Sequence, residues 1–312
     1  MERLDLPVRG WADYELIDSG DNRKLERYGN YVLIRPETQA LWRPSRSADV
    51  WKRADAEFRF GEGGEGGPRG KGGGWRKRAA SVPDSWEMSW NGLRFTARLT
   101  SFKHTGVFPE QAANWEWIAE RTDALRSQQK GIPRILNLFG YTGIASMAAA
   151  AHGADVTHCD ASKQSNTWAH DNARSSGIDR GDYRAGGIRW ITDDALKFAE
   201  REVRRDAVYD GIILDPPAFG RGAKGEVFRI EEHLPKVLDA CAHLLAASRP
   251  GAFLLLNGYA AGYAPLSLLQ AVEGSFPNIA KTSRGEYGEL HIAEQGTGRA
   301  VPSGIYARFV VK

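Results

Sequence analysis

Apolar residues along the chain change rhythm near residue 130. Beyond that point short apolar runs alternate with longer stretches patterned for helices. Arg134-Ile-Leu-Asn-Leu-Phe139 predicts a buried strand, and alanine-rich Ile144 to Ala151 a helix stopped by Gly153. Asp155-Val-Thr-His-Cys159 predicts a second strand closed by Asp160; Ser162 then caps a helix that runs to about Ser176 and stops at Gly177. Ile188-Arg-Trp-Ile191 predicts a third strand, Ala195 to Arg204 a helix, and Tyr209 to Leu214 a fourth strand. A helix over Glu231 to Ala246, a strand over Ala252 to Leu256 and two strands within Gly288 to Val311 complete the pattern. Such alternation predicts an α/β fold, a doubly wound and mostly parallel sheet that binds ligands at its carboxyl edge.

The first hundred residues follow a different pattern, which sets residues 1–100 apart as a smaller β-rich domain before a domain at 101–312. Tyr31-Val-Leu-Ile-Arg35 reads as a strand. Trp86 to Trp90, then Asn91-Gly92, then Leu93 to Leu99 reads as a hairpin, because Asn-Gly suits a type I′ turn. Between them nine of the fourteen residues at 61–74 are glycine, followed by Arg76-Lys77-Arg78. The expectation is a flexible basic loop over 61–78, either a solvated linker or an arm that touches phosphate. Six of the ten tryptophans lie in this first hundred, where core packing is the expectation for them.

Composition narrows the classes. With 42% apolar and 26% charged residues in 312, the chain reads as an ordinary globular protein of about two domains. It has no apolar run long enough to cross a membrane and no basic-then-apolar leader, so a cytoplasmic protein without membrane partners is expected. Cys159 and Cys241 are the only cysteines and have no metal-spaced partners; no metal site is expected. The net charge of +3 neither requires nor opposes a nucleic-acid partner.

The chemistry gathers at the predicted strand ends. Asn137-Leu-Phe-Gly140-Tyr141-Thr-Gly143 offers a tight glycine turn at a helix start, where the backbone can approach a ligand closely. Asp160, twenty residues after Gly140, is placed to accept from both ribose hydroxyls, and Asp193-Asp194 end the third strand where an adenine amine would lie. Each acid could instead cap a helix. No third glycine carries a pyrophosphate and no Gly-Lys-Ser/Thr follows, which favours S-adenosylmethionine (SAM) over a dinucleotide. Asp215-Pro216-Pro217-Ala218-Phe219 follows the fourth strand. Two prolines stiffen the segment, leaving an acid, free carbonyls and an aromatic ring for a flat heterocycle with an amino group.

LNLFGYTGIAS, THCDAS, ITDDALKF and LDPPAFGRG, in that order and spacing, resemble the class I SAM-dependent methyltransferases of the large-subunit ribosomal RNA type. The resemblance covers roughly residues 100–312 and implies a Rossmann-like catalytic domain behind an N-terminal RNA-binding β domain. It also implies roles by position. Asn137, Gly140, Tyr141 and Gly143 would meet the methionine end of SAM, Asp160 the ribose, and Asp193 with Asp194 the adenine. Phe108 and Gln111, in Lys103-His-Thr-Gly-Val-Phe-Pro-Glu-Gln111, would cover the cofactor. Asp215 would border both cofactor and acceptor, and Pro216, Pro217 and Phe219 would face the target base as catalytic residues. One departure is large: members that make 5-methylcytosine carry a nucleophilic cysteine after the fifth strand, and Leu256-Asn-Gly-Tyr-Ala260 has none. The expectation is a cytoplasmic methyltransferase that yields S-adenosylhomocysteine and modifies a nitrogen of an RNA base, ribosomal RNA foremost, as monomer or homodimer. A small-molecule or protein methyltransferase, a 5-methylcytosine enzyme and a non-catalytic binder are the rivals.

Overall fold

A computed structural model describes residues 1–8, 10–61, 73–128, 131–178, 186–221, 227–259 and 262–312. The contact pattern divides the chain into two compact units. One comprises residues 1–6, 113–290 and 304–312; the other comprises 7–112 and 291–303. The break expected at 100/101 thus falls at 112/113, and a second segment near the C-terminus joins the smaller unit.

In the larger unit, helix α1 (Ala112–Gln128) precedes strand β1 (Arg134–Leu138) and helix α2 (Ile144–Ala151). Next come β2 (Asp155–Asp160), α3 (Lys163–Ser175), β3 (Ile188–Thr192) and α4 (Ala195–Val203). The unit continues with β4 (Gly211–Leu214), α5 (Ile230–Leu244), β5 (Phe253–Gly258) and α6 (Pro265–Ser275). Strands β6 (Ser283–Ala293) and β7 (Ala300–Val311) finish it. The order across the sheet is β3-β2-β1-β4-β5-β7-β6. The first five strands run parallel, and β7 pairs antiparallel to β5. This is the expected doubly wound, Rossmann-like sheet. Every residue of β4 and β5 is buried, which is why those strands read as unbroken apolar runs.

Helix α1 gave no clear signal in the sequence. Its buried face runs through Trp115, Ile118, Ala119, Thr122 and Leu125 at helical spacing, but the first turn also buries Asn114. Thr122 satisfies its hydroxyl by donating to the Ile118 carbonyl at 2.8 Å.

The smaller unit is built on a five-stranded sheet of Tyr14–Gly20, Arg23–Tyr28, Tyr31–Pro36, Ala56–Arg59 and Gly74–Lys77. A separate hairpin pairs Ser85–Trp90 with Leu93–Arg98. Its turn residues Asn91 and Gly92 have φ of 43° and 83°, as a type I′ turn requires. Residues 62–72 of the glycine-rich run lie outside the described residues. Arg76 and Lys77, expected in a flexible loop, instead belong to a strand paired with Ala56–Arg59, because Trp75 packs on Phe58 at 5.6 Å between ring centroids.

This unit buries charge. The Arg35 guanidinium donates to both Glu26 oxygens, at 2.7 and 2.9 Å, and Tyr14 donates to Glu26 at 2.7 Å. Lys24 pairs with Glu37 at 3.2 Å. Burial alone would raise the Glu26 carboxyl, but Arg35 and Lys24 overcome it and hold it at about 2. Glu110 lacks so close a cation, and burial lifts it to about 6 against the weaker pull of Lys24 and Arg35. A carboxyl raised in the folded state binds its proton before the unfolded chain does. Stability therefore rises as pH falls from above 6 towards the ordinary 4.5. Glu110→Gln should be the more stable protein at pH 8 by about 2 kcal/mol and should match the wild type near pH 4. Urea unfolding at both pH values measures this; a difference that does not change with pH would refute it.

Candidate active site

Two neighbouring strand ends, of β1 and β2, carry the glycine turn and Asp160. The chain leaves β1 through Phe139 and Tyr141 with φ of 60° and 50°, a left-handed geometry that costs residues other than glycine about 1–3 kcal/mol each. Three contacts hold it. Gly140 N–H donates to the Cys159 carbonyl at 3.1 Å, Gly143 N–H to the Gly140 carbonyl at 3.0 Å, and Tyr141 N–H to Asp160 Oδ2 at 2.9 Å. Glycine is needed at 140 because a Cβ there would overlap the His158 ring. At 143, which caps α2, φ is +82° and a Cβ would crowd Ala169.

Beneath the turn lies a buried polar chain that sequence reasoning missed. Asn137 Nδ2 donates to Ser146 Oγ at 2.8 Å, which leaves the serine hydroxyl to donate to His158 Nδ1 at 2.9 Å. Burial drives the imidazole down to about 3, so it is neutral. Asn137 is 1% exposed, and its amide is committed to α2; it supports the turn from inside.

Asp160 does two structural tasks, since its Oδ1 also accepts from Ser162 N–H at 2.8 Å. Burial raises its carboxyl above the ordinary range despite those two backbone donors. At the neighbouring strand end Asp193 N–H donates to the Asp160 carbonyl at 3.2 Å, so the three acids meet along one edge. Asp193 pairs with Arg201 at 2.6 Å, and Asp194 caps α4 by accepting from Lys197 N–H at 3.0 Å. Capping and ligand contact are compatible here, because a carboxylate has about four acceptor positions.

Asp215 directly follows β4, and its N–H reaches the Leu138 carbonyl at 3.4 Å. Pro216 is buried and Pro217 exposed. Phe219 opens a short hairpin, Phe219–Arg221 with Val227–Arg229, and is 54% exposed. An aromatic ring that open, on a segment stiffened by two prolines, suits a stacking partner for a planar group. Phe108 and Gln111 belong to the other unit. Gln111 ends a single 3-10 turn, Pro109–Gln111, that leads into α1.

The turn, the acids and the stiffened loop therefore lie at the carboxyl ends of the parallel strands, the edge at which a doubly wound sheet takes its ligands. Residues 76–279 match the S-adenosylmethionine-dependent methyltransferase family, and the chain belongs to it. Its cofactor is SAM. Among known proteins it is similar to a ribosomal RNA large subunit methyltransferase K/L of Shewanella loihica, 32% identical over 53% of this chain and 21% of that one. A ribosomal RNA large subunit methyltransferase K of Neisseria meningitidis is 28% identical over 73% of this chain and 61% of that one. The chain thus spans less than two thirds of these relatives. A SAM-dependent methyltransferase structure from Agrobacterium tumefaciens matches 99% of this chain and 94% of its own, with 40% identity and a TM-score of 0.87. A putative methyltransferase from Streptococcus mutans shares the fold at a TM-score of 0.68 and 17% identity, over 96% of this chain and 75% of that one.

Among the described residues no helix is long and apolar enough to cross a membrane.

Asp160→Ala should weaken SAM binding by about 1.5–3 kcal/mol, roughly ten- to over a hundredfold, since it loses a charge-assisted acceptor and the clamp on Tyr141. Calorimetry on the folded variant measures it, and unchanged affinity would exclude this edge as the ribose site.

Proposed function

We propose that the protein transfers the methyl group of SAM to a nitrogen of an RNA base, with ribosomal RNA the foremost candidate. The acceptor loop carries the reading: an acid, two prolines and an open aromatic ring stand together at the carboxyl end of β4. Bound SAM supplies an electrophilic methyl on a sulfonium. Asp160 would hold its ribose, Asp193 and Asp194 its adenine, and the Gly140–Gly143 turn its amino-acid end. Asp215 would accept an N–H of the target amine and orient its lone pair, while Phe219 stacks on the ring.

Thiol chemistry has little support. Cys159 and Cys241 are both fully buried, and burial pushes the Cys241 thiol up to about 12 and that of Cys159 higher still. A nitrogen acceptor needs no covalent adduct.

RNA is favoured by a cleft of about 560 Å³ within the smaller unit. Arg23, Arg43, Arg46, Lys52, Arg59 and Arg78 line it against only Asp21 and Glu57. Glu57 is taken by Arg59 at 2.7 Å, and Lys52 pairs with Asp49 at 2.9 Å. Arg23, Arg43, Arg46 and Arg78 pair with no carboxylate among the described residues. Four such guanidinium groups on one open face suit a phosphodiester backbone. The names of the relatives point the same way, and a cytoplasmic location accords with such a substrate.

Transfer of labelled methyl from SAM to total RNA, against protein and small-metabolite fractions, tests the reading; label confined to the latter two would overturn it. Asp215→Ala should lower single-turnover transfer by about two to three powers of ten with SAM affinity kept. Phe219→Ala should weaken acceptor binding by about 1–3 kcal/mol. Normal transfer by Asp215→Ala would make the loop merely structural.

For the cleft, replacing Arg43, Arg46 and Arg78 together by alanine should reduce the slope of log RNA affinity against log salt by about three. A filter-binding salt series with an unchanged slope would exclude it.

A further inference from the structure

A second group stands at the acceptor edge, and its orientation is set from a distance. Arg308, on β7, is 4% exposed and lies between the rings of Trp117 and Tyr306, at 5.1 and 4.7 Å from their centroids. Its Nη1 meets Glu286 at 3.0 Å and its Nη2 donates to the Ala113 carbonyl at 3.1 Å. Both Nε, at 2.9 Å, and Nη2 also donate to Asn114 Oδ1. A guanidinium can only donate, so the oxygen of Asn114 must face it. The Asn114 Nδ2 consequently faces the other way, and it donates to Asn257 Oδ1 at 2.6 Å. Asn257, 4% exposed, therefore has its own oxygen occupied, and its Nδ2 is the end left to donate elsewhere. That Nδ2 donates to no protein group among the described residues.

Asn257 stands one residue beyond Leu256, which pairs with Leu214, and Asp215 stands one residue beyond Leu214. The two are level on neighbouring strand ends, whose spacing is about 4.8 Å. An acceptor and a donor that close together match an amine bonded to a carbon that also carries a ring acceptor.

We infer that Asn257 donates a hydrogen bond from Nδ2 to the acceptor atom beside the target amine, with Asn114 and Arg308 as positioning residues that fix its amide. The inference rests on the reading that the acceptor binds at Asp215. It narrows the substrate to nucleobases with an amidine edge, an amine next to a ring nitrogen, as in cytosine, adenine and the N2 side of guanine. Uracil has no such edge.

Two variants of almost unchanged size test it. Asn257→Asp replaces the donor by an acceptor. Asn114→Asp still accepts from Arg308 but can no longer donate, so the Asn257 amide should turn over and present its oxygen. Each should lower single-turnover methyl transfer to total RNA by about ten- to a hundredfold, with SAM affinity by calorimetry within about twofold and melting temperature kept. The double variant should be no worse than the poorer single one, because both act on one hydrogen bond. CMP, AMP and GMP should inhibit the wild type better than UMP, and both single variants should lose that preference. Transfer at the wild-type rate in either single variant would overturn the inference. A wild type that labels no RNA would instead overturn the proposed function. The exchange of asparagine side-chain protons, read by selective ¹⁵N labelling, decides on the relay without any substrate: Asn257 Nδ2 protons should exchange freely in the wild type and become protected in Asn114→Asp. Protection in the wild type would also overturn it.

Discussion

The carboxylate of Asp160 is the constraint on which the nucleotide edge depends. One oxygen takes the N–H of Tyr141 and the other the N–H of Ser162, so one side chain ties the exit of β1 to the start of α3. The two left-handed residues of the β1 turn would relax if left alone, and the turn would lose its close-packed shape. The charge that attracts two backbone donors also leaves lone pairs for a ligand's hydroxyl groups. If Asp160 holds the ribose as proposed, binding and local architecture draw on the same group.

Support from below is neutral. His158 fills the space that a side chain at Gly140 would need, and a charged imidazole there would carry a large desolvation penalty. The Ser146 hydroxyl, fixed by Asn137, completes the chain without charge. The turn is therefore clamped by an anion at its rim and by uncharged dipoles inside, so the local field at this edge comes from Asp160 and its neighbours.

The parallel sheet was legible because β1, β4 and β5 are buried on both faces and read as plain apolar runs. The constrained strand ends were legible for a related reason. Glycines, acids and prolines mark loops whose backbone is constrained, and Gly140, Asp160 and Asp215 each meet such a constraint in the structure. Much of the smaller unit was not legible. Tyr14–Gly20 and Arg23–Tyr28 carry Asp18, Lys24 and Glu26 at buried positions, so alternation of apolar and polar residues fails there. What replaces it is pairing between residues distant in sequence, such as Ser19 with Glu294 at 2.6 Å, which no local window reports. Arg76 and Lys77 misled for the opposite reason: a charged end of a strand looks like the continuation of a polar loop.

The two units solve the problem of buried polarity in different ways, and the difference bears on chemistry. The smaller unit pairs full charges, Glu26 with Arg35 and Lys24 with Glu37. The strand ends of the larger unit mostly use asparagine. Asn166 bridges the Asp160 carbonyl at 2.9 Å and Thr192 Oγ1 at 3.0 Å, and Asn172 holds the Thr142 carbonyl at 3.0 Å. Asn137 secures α2 and Asn114 orients Asn257. An amide has both a donor and an acceptor end, so it can join two backbone elements and fix direction without adding net charge. A site that must receive a sulfonium cation and release a neutral thioether gains from such fixed dipoles, since they do not move when the charge on the ligand changes. The acids Asp160, Asp193, Asp194 and Asp215 then stand at the carboxyl ends of parallel strands, with Asp193 paired to Arg201.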